Sequence, residues 1–91
     1  MLESTVTVVN RLGLHARAAA QLVKLAGTFK SKIMLIRADN GVLADAKSIL
    51  TVLMLAASVG TELRLTADGD DEQQAVEEVS ALFANRFGES I

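Results

Sequence analysis

The 91-residue sequence has no cysteine, tryptophan, tyrosine or proline, and a single histidine. Without cysteine, disulfides, zinc fingers and thiol chemistry are excluded. A lone histidine, His15, argues against a metal site, because only carboxylates would be left to complete the ligand set. Basic residues are not in excess, and the formal net charge is -2. An acidic chain whose only aromatics are three Phe is poorly equipped for general nucleic-acid binding. Long apolar runs are also missing. The longest, Val52-Leu53-Met54-Leu55-Ala56-Ala57, is far too short to span a bilayer. The first residues, Met1-Leu2-Glu3-Ser4-Thr5, show no basic stretch leading into an apolar core. The expectation is a soluble cytoplasmic protein with no membrane or nucleic-acid partner.

What is present is a globular composition, 51% hydrophobic and 22% charged, at the length of one domain spanning residues 1–91. Thr5-Val6-Thr7-Val8-Val9 alternates and is β-branched, which predicts a half-buried strand with Val6 and Val8 inward. Ala16 to Thr28 reads as a helix, with Ala19, Leu22, Val23 and Ala26 at helical spacing and Gly27 at its end. Lys32 to Arg37 predicts a second strand, with Ile33 and Leu35 on one face and Met34 and Ile36 on the other. Asp39-Asn40-Gly41 is a hairpin signal, returning through a short strand at Val42–Ala44. Ser48 suits the N-cap of a helix starting at Ile49 and ending near Ser58-Val59-Gly60. Thr61 to Ala67 alternates again, with Leu63 and Leu65 inward and Glu62 and Arg64 outward. Asp68-Gly69-Asp70-Asp71 places acids where a helix dipole favours them. The last helix gathers Ala75, Val76, Val79, Leu82 and Phe83 on one face. The order β-α-β-β-α-β-α predicts an α+β fold, with three helices covering one face of a four-stranded antiparallel sheet.

His15 is the residue with chemistry to offer. It follows a Gly-Leu step and precedes a helix, so the amides of residues 16 to 18 have no partner inside that helix. Those amides and the dipole suit an anion. Arg17 adds a cation able to hold two phosphate oxygens. Imidazole, with an unperturbed pKa of about 6.5, is a nucleophile near neutral pH. Position alone does not separate a phosphoryl acceptor from a solvated ring or a local cap.

The surrounding residues narrow the choice. Asn10-Arg11-Leu12-Gly13-Leu14-His15-Ala16-Arg17 resembles the active-site motif of the HPr family, the histidine phosphocarriers of the bacterial phosphotransferase system. Ala46-Lys47-Ser48-Ile49-Leu50 resembles the family's second motif, around its regulatory serine. Gly60-Thr61-Glu62-Leu63 and Ala67-Asp68-Gly69-Asp70-Asp71-Glu72 resemble its last strand and turn. The resemblance covers nearly the whole chain. It implies an open-faced β-sandwich and a phosphohistidine on His15, formed through the ring nitrogen nearer the backbone. Arg17 would be the phosphate-side cation, and Ser48 the position that a dedicated HPr kinase/phosphorylase modifies in some bacteria. It further implies a monomeric carrier without a cofactor, charged by enzyme I and discharged to enzyme II A domains. One departure is Ala18, where HPr proteins usually carry proline.

The helix after Ser48 holds more apolar residues than one buried face needs. Ile49, Leu50, Leu53 and Met54 are therefore expected outward as a docking patch, with Lys24 as a basic edge on the first helix. Ala81-Leu82-Phe83, Phe87-Gly88-Glu89 and Leu53-Met54-Leu55 also resemble the nitrogen-branch relative, NPr, so a regulatory carrier is one alternative. A ferredoxin-like ligand-sensing domain, with nearly the same element order, is another. Such a domain has no need of Gly13, His15 and Arg17 at a helix start.

Overall fold

A computed structural model describes residues 1–90. Ile91, the last residue of the expected domain, lies outside the described residues. The elements are β1 (Leu2–Thr7), α1 (Ala16–Ala26), β2 (Lys32–Arg37), β3 (Leu43–Asp45), α2 (Ile49–Met54), β4 (Glu62–Asp68) and α3 (Glu72–Ala84). A 3-10 turn at Arg86–Gly88 follows. All strand pairs are antiparallel, in the order β1-β4-β2-β3. The α+β fold is thus the open-faced sandwich expected from the sequence.

Register follows from burial. Val6 lies opposite Leu63, Leu65 opposite Leu35, Leu35 opposite Ala44, and Ile33 opposite Ala67. All of these are buried. A slip by one residue would turn Arg64 and Glu62 inward, so the pairing is strongly specified. The helices cover this face through small residues, Ala18, Ala19 and Ala26 on α1 and Ala75 on α3, interleaved with Leu22, Val79 and Phe83. Full burial of a side chain such as Leu22 stabilises the fold by roughly 1.5–3 kcal/mol.

Five elements differ in their bounds from the sequence expectation, β4 among them at Glu62–Asp68 rather than Thr61–Ala67. Strand β1 starts earlier and ends at Thr7, although Val8 still pairs with the start of β4 through Thr61 and Gly60. Helix α1 stops at Ala26, and its cap Gly27 keeps ordinary helical angles. Strand β3 is shifted by one residue, to Leu43–Asp45. Helix α2 ends at Met54 rather than near Gly60: Ala56 turns to φ of 50°, and the carbonyls just beyond the helix are bonded by other elements. The Arg37 guanidinium donates to the Leu55 and Ala56 carbonyls at 2.8 and 3.3 Å. The Leu14 amide donates to the Ala57 carbonyl at 2.9 Å.

Asp71 shows how the connections are held. It occupies the N-cap of α3 but makes no side-chain cap bond. Its carboxylate instead accepts from the Ser31 hydroxyl and from the amides of Lys30 and Ser31 at 2.8 and 2.9 Å. The Ser31 hydroxyl, followed by the Lys30 amide, holds the Asp71 carboxyl at about 2. An unfolded aspartate titrates near about 3.9. A depressed folded value means that this stabilisation is complete above the unfolded value and lost as pH falls towards 2. The stability difference between the wild type and Asp71→Asn should therefore be constant above about pH 5 and shrink below it. Urea unfolding across that range checks this, and a pH-independent difference would refute it.

Candidate functional site

The site is built where the β1–α1 loop meets the loop after α2 and the C-terminal turn. Asn10, fully buried, closes the first loop by donating from Nδ2 to the Gly13 carbonyl at 2.8 Å. Leu14, also buried, then ties that loop to Ala57. His15 follows as the N-cap of α1, in extended conformation with φ -74° and ψ -179°. The first bond of the helix runs from the Ala19 amide to the His15 carbonyl at 2.8 Å. The helix therefore begins where the sequence placed it. The amides of Ala16, Arg17 and Ala18 have no carbonyl four residues back within it.

Two neighbours fix the state of the imidazole. Its Nδ1 accepts from the Arg17 amide at 3.3 Å. Its Nε2 lies 2.6 Å from Glu89 Oε2. An amide can only donate and a carboxylate can only accept, so the hydrogen belongs on Nε2 and Nδ1 keeps its lone pair. That lone pair, on the ring nitrogen nearer the backbone, faces the start of α1. Glu89 is nearly enclosed, with 7% of its side chain exposed against 29% for His15. Its other oxygen accepts from Asn10 at 3.2 Å. The hydrogen bond from His15 is the main reason why the Glu89 carboxyl sits below the ordinary glutamate value. The Asn10 bond and the charge of Arg17 add to it, and burial opposes it.

Arg17 is exposed and makes no side-chain ion pair among the described residues. It lines a shallow groove with Leu12, Gln21, Phe87, Gly88 and Glu89, beside the imidazole. The helix start and the Nδ1 lone pair stand together, with the exposed Arg17 in the first turn of α1, a set suited to an anionic group. Asn10, which opens the Asn10–Arg17 motif, and Glu89, in the Phe87-Gly88-Glu89 stretch, were given no role in the site by the sequence. Glu89 is 74 positions from His15, in a tail without periodicity. The available signal was Phe87, an apolar residue beyond the end of the α3 stripe.

The family model described as "PTS HPr component phosphorylation site" matches residues 2–85. The chain is 53% identical over 89 residues to phosphocarrier protein HPr of Cupriavidus necator, covering 98% of each. The chain belongs to the HPr family. As an HPr protein it is a phosphocarrier of the phosphotransferase system, which displaces the ferredoxin-like sensing alternative. The crystal structure of HPr-C-His from Thermoanaerobacter tengcongensis superposes with a TM-score of 0.92, at 37% identity and 100% coverage of both chains. An HPr dimer from the same organism gives 0.76 at 38% identity, covering 98% of this chain and 100% of that one.

In this HPr chain Ser48 caps α2, accepting from the Thr51 amide at 3.5 Å. Of the apolar residues in α2, Val52 is buried, as is Leu55 just beyond it. Ile49, Leu50, Leu53 and Met54 are exposed, Leu50 to 66% and Met54 to 68%. Leu12 and Val59, which the sequence did not single out, are also exposed, next to the Gly13–Ser58 approach. Lys24 is exposed but turns toward α3, lining a groove with Leu25 and Leu82. Ala18 is fully buried in the first turn of α1. Among the described residues, no helix is long and apolar enough to cross a membrane.

Proposed function

We propose that His15 Nδ1 accepts a phosphoryl group from phosphorylated enzyme I, itself charged from phosphoenolpyruvate, and passes it to the A domain of an enzyme II. The observation that carries this reading is the Nδ1 lone pair held at the start of α1 by the Arg17 amide, where the helix amides have no carbonyl partner within the helix. The small carrier offers an anion site organised before the group arrives. Its larger partners hold donor and acceptor nitrogens in line with phosphorus, which supplies much of the rate. The carrier acts in the cytoplasm as a monomer. Incubation with phosphoenolpyruvate and enzyme I should place an acid-labile phosphoryl group on His15 alone. A phosphoryl group on any other side chain would overturn the assignment.

The exposed residues of α2, Ile49, Leu50, Leu53 and Met54, form the surface on which partners dock. Ser48 lies at its edge as the position open to an HPr kinase/phosphorylase. In the variant Ser48→Asp the carboxylate still caps the helix, so stability should change by less than about 1 kcal/mol. The added charge must be desolvated among Ile49 and its apolar neighbours when enzyme I binds, so affinity should fall. Calorimetric titration against enzyme I measures this. Unchanged affinity would place the docking surface elsewhere.

A further inference from the structure

The C-terminal turn carries a feature that the phosphocarrier reading does not require. Arg86 and Phe87 adopt φ of 56° and 54°, a left-handed conformation that ordinary residues disfavour, and Gly88 continues it at 75°. The turn closes through the Gly88 amide to the Asn85 carbonyl at 3.0 Å and the Glu89 amide to the Arg86 carbonyl at 2.9 Å. Phe87 anchors it, 2% exposed and edge-on to Phe83 with ring centroids 5.0 Å apart. Strain of this kind persists where surrounding contacts over-determine it, often at functional sites. Its consequence here is to deliver one carboxylate, Glu89, to one ring nitrogen, His15 Nε2.

We propose that Glu89 is a positioning residue for phosphoryl transfer at His15, acting through Nε2 while the chemistry takes place at Nδ1; the proposal rests on the function given above. Its first role is orientation. By accepting from Nε2–H, the carboxylate fixes both the tautomer and the rotation of the ring, much as an outer carboxylate orients a histidine elsewhere in enzymology. Asn10 donates to the same carboxylate and to the Gly13 carbonyl, so ring, loop and tail are joined by one set of hydrogen bonds. Its second role is electrostatic. In the forward step the Nδ1 lone pair forms the new N–P bond, and the electrons of the broken N–P bond return to the donor nitrogen. No proton leaves Nε2, so the ring becomes a cation. The Glu89 carboxylate, 2.6 Å away and nearly enclosed, faces that charge as it forms. In the onward step the N–P electrons return to Nδ1, and Nε2 again keeps its hydrogen. The contact therefore serves acceptance and donation alike.

Two measurements test this. Nitrogen-15 spectra of the unphosphorylated protein should show an Nε2-bound, slowly exchanging ring proton that Glu89→Ala abolishes. With enzyme I and phosphoenolpyruvate, Glu89→Ala and the isosteric Glu89→Gln should lower the kcat of His15 phosphorylation roughly tenfold, the scale of losing a group that orients a functional histidine. KM for enzyme I should stay unchanged, because the docking helix is untouched. Glu89→Asp should recover part of the loss, which a purely structural tail would not predict. The proposal is overturned if the protected proton survives in Glu89→Ala. It is equally overturned if kcat is unchanged in both variants while the wild type is active. If the wild type takes no phosphoryl group, the functional reading fails, and the positioning proposal falls with it whatever the ring spectra show.

Discussion

The variant His15→Ala should take up no phosphoryl group from enzyme I, while keeping its fold. The structural part of the imidazole is local: its cap bond to Arg17 is long, at 3.3 Å, and its 2.6 Å bond to Glu89 ties down only the C-terminal turn. Losing a helix cap typically costs about 1 kcal/mol, and the buried core beneath, Leu14, Ala18 and Leu22, is unaltered. The chemical loss is total, because no other imidazole and no thiol exists in the chain. Among the described residues, the serine or threonine hydroxyl bonded to a carboxylate is that of the buried Ser31, on Asp71. Thermal unfolding together with phosphorylation by enzyme I tests both halves. Residual labelling of a folded His15→Ala would show that the group enters elsewhere. Loss of the fold itself would show that His15 is chiefly structural.

The contrast between His15 and Glu89 also marks how far the sequence could be read. Alternation around Val6, Leu63 and Leu65 and the helical spacing of Ala19, Leu22 and Ala26 predicted the sheet and α1, because burial imposes those periods on local stretches. His15, Arg17 and Ser48 lie at helix starts, where short-range rules place them. The exposed stripe of α2 was legible for a similar reason: more apolar residues stood in a row than one face can bury. What escaped was non-local. The end of α2 is set by Arg37 and Leu14 taking carbonyls from distant elements. Lys24 turns toward α3 because of how α1 is rotated in the packing. From the N-cap of α3, Asp71 reaches the amides of Lys30 and Ser31, some 40 residues away. Glu89 meets His15 only because a left-handed turn and Phe87 bring the tail back. No periodicity encodes such meetings.

Gly13→Ala should be among the most damaging single-methyl changes in the chain, and Gly41→Ala should be mild although the two share a left-handed φ. Gly13 has φ of 72° and Gly41 of 74°. Both substitutions therefore impose similar left-handed strain, about 1–2 kcal/mol. Their surroundings differ. A Cβ on Gly41 would meet nothing within 4 Å, whereas one on Gly13 would lie 2.7 Å from the Ala57 carbonyl oxygen and 3.0 Å from Ser58 Cα. The obstacle is backbone, and it cannot step aside freely. That carbonyl accepts the Leu14 amide at 2.9 Å. Relief must push the His15 loop off the loop after α2, weakening this bond and the seat of Leu14. The added loss brings the expected cost of Gly13→Ala to about 3 kcal/mol or more. Displacing the loop also moves Nδ1 relative to the start of α1. Misplacement by even a fraction of an ångström slows transfer, so phosphorylation by enzyme I should fall roughly tenfold or further. Gly41 sits in the hairpin between β2 and β3 and should leave that rate alone. Urea unfolding and phosphorylation kinetics on the two variants, side by side, subtract the shared strain. Equal losses in both would mean that the close approach of Gly13 to Ala57 does not constrain the site.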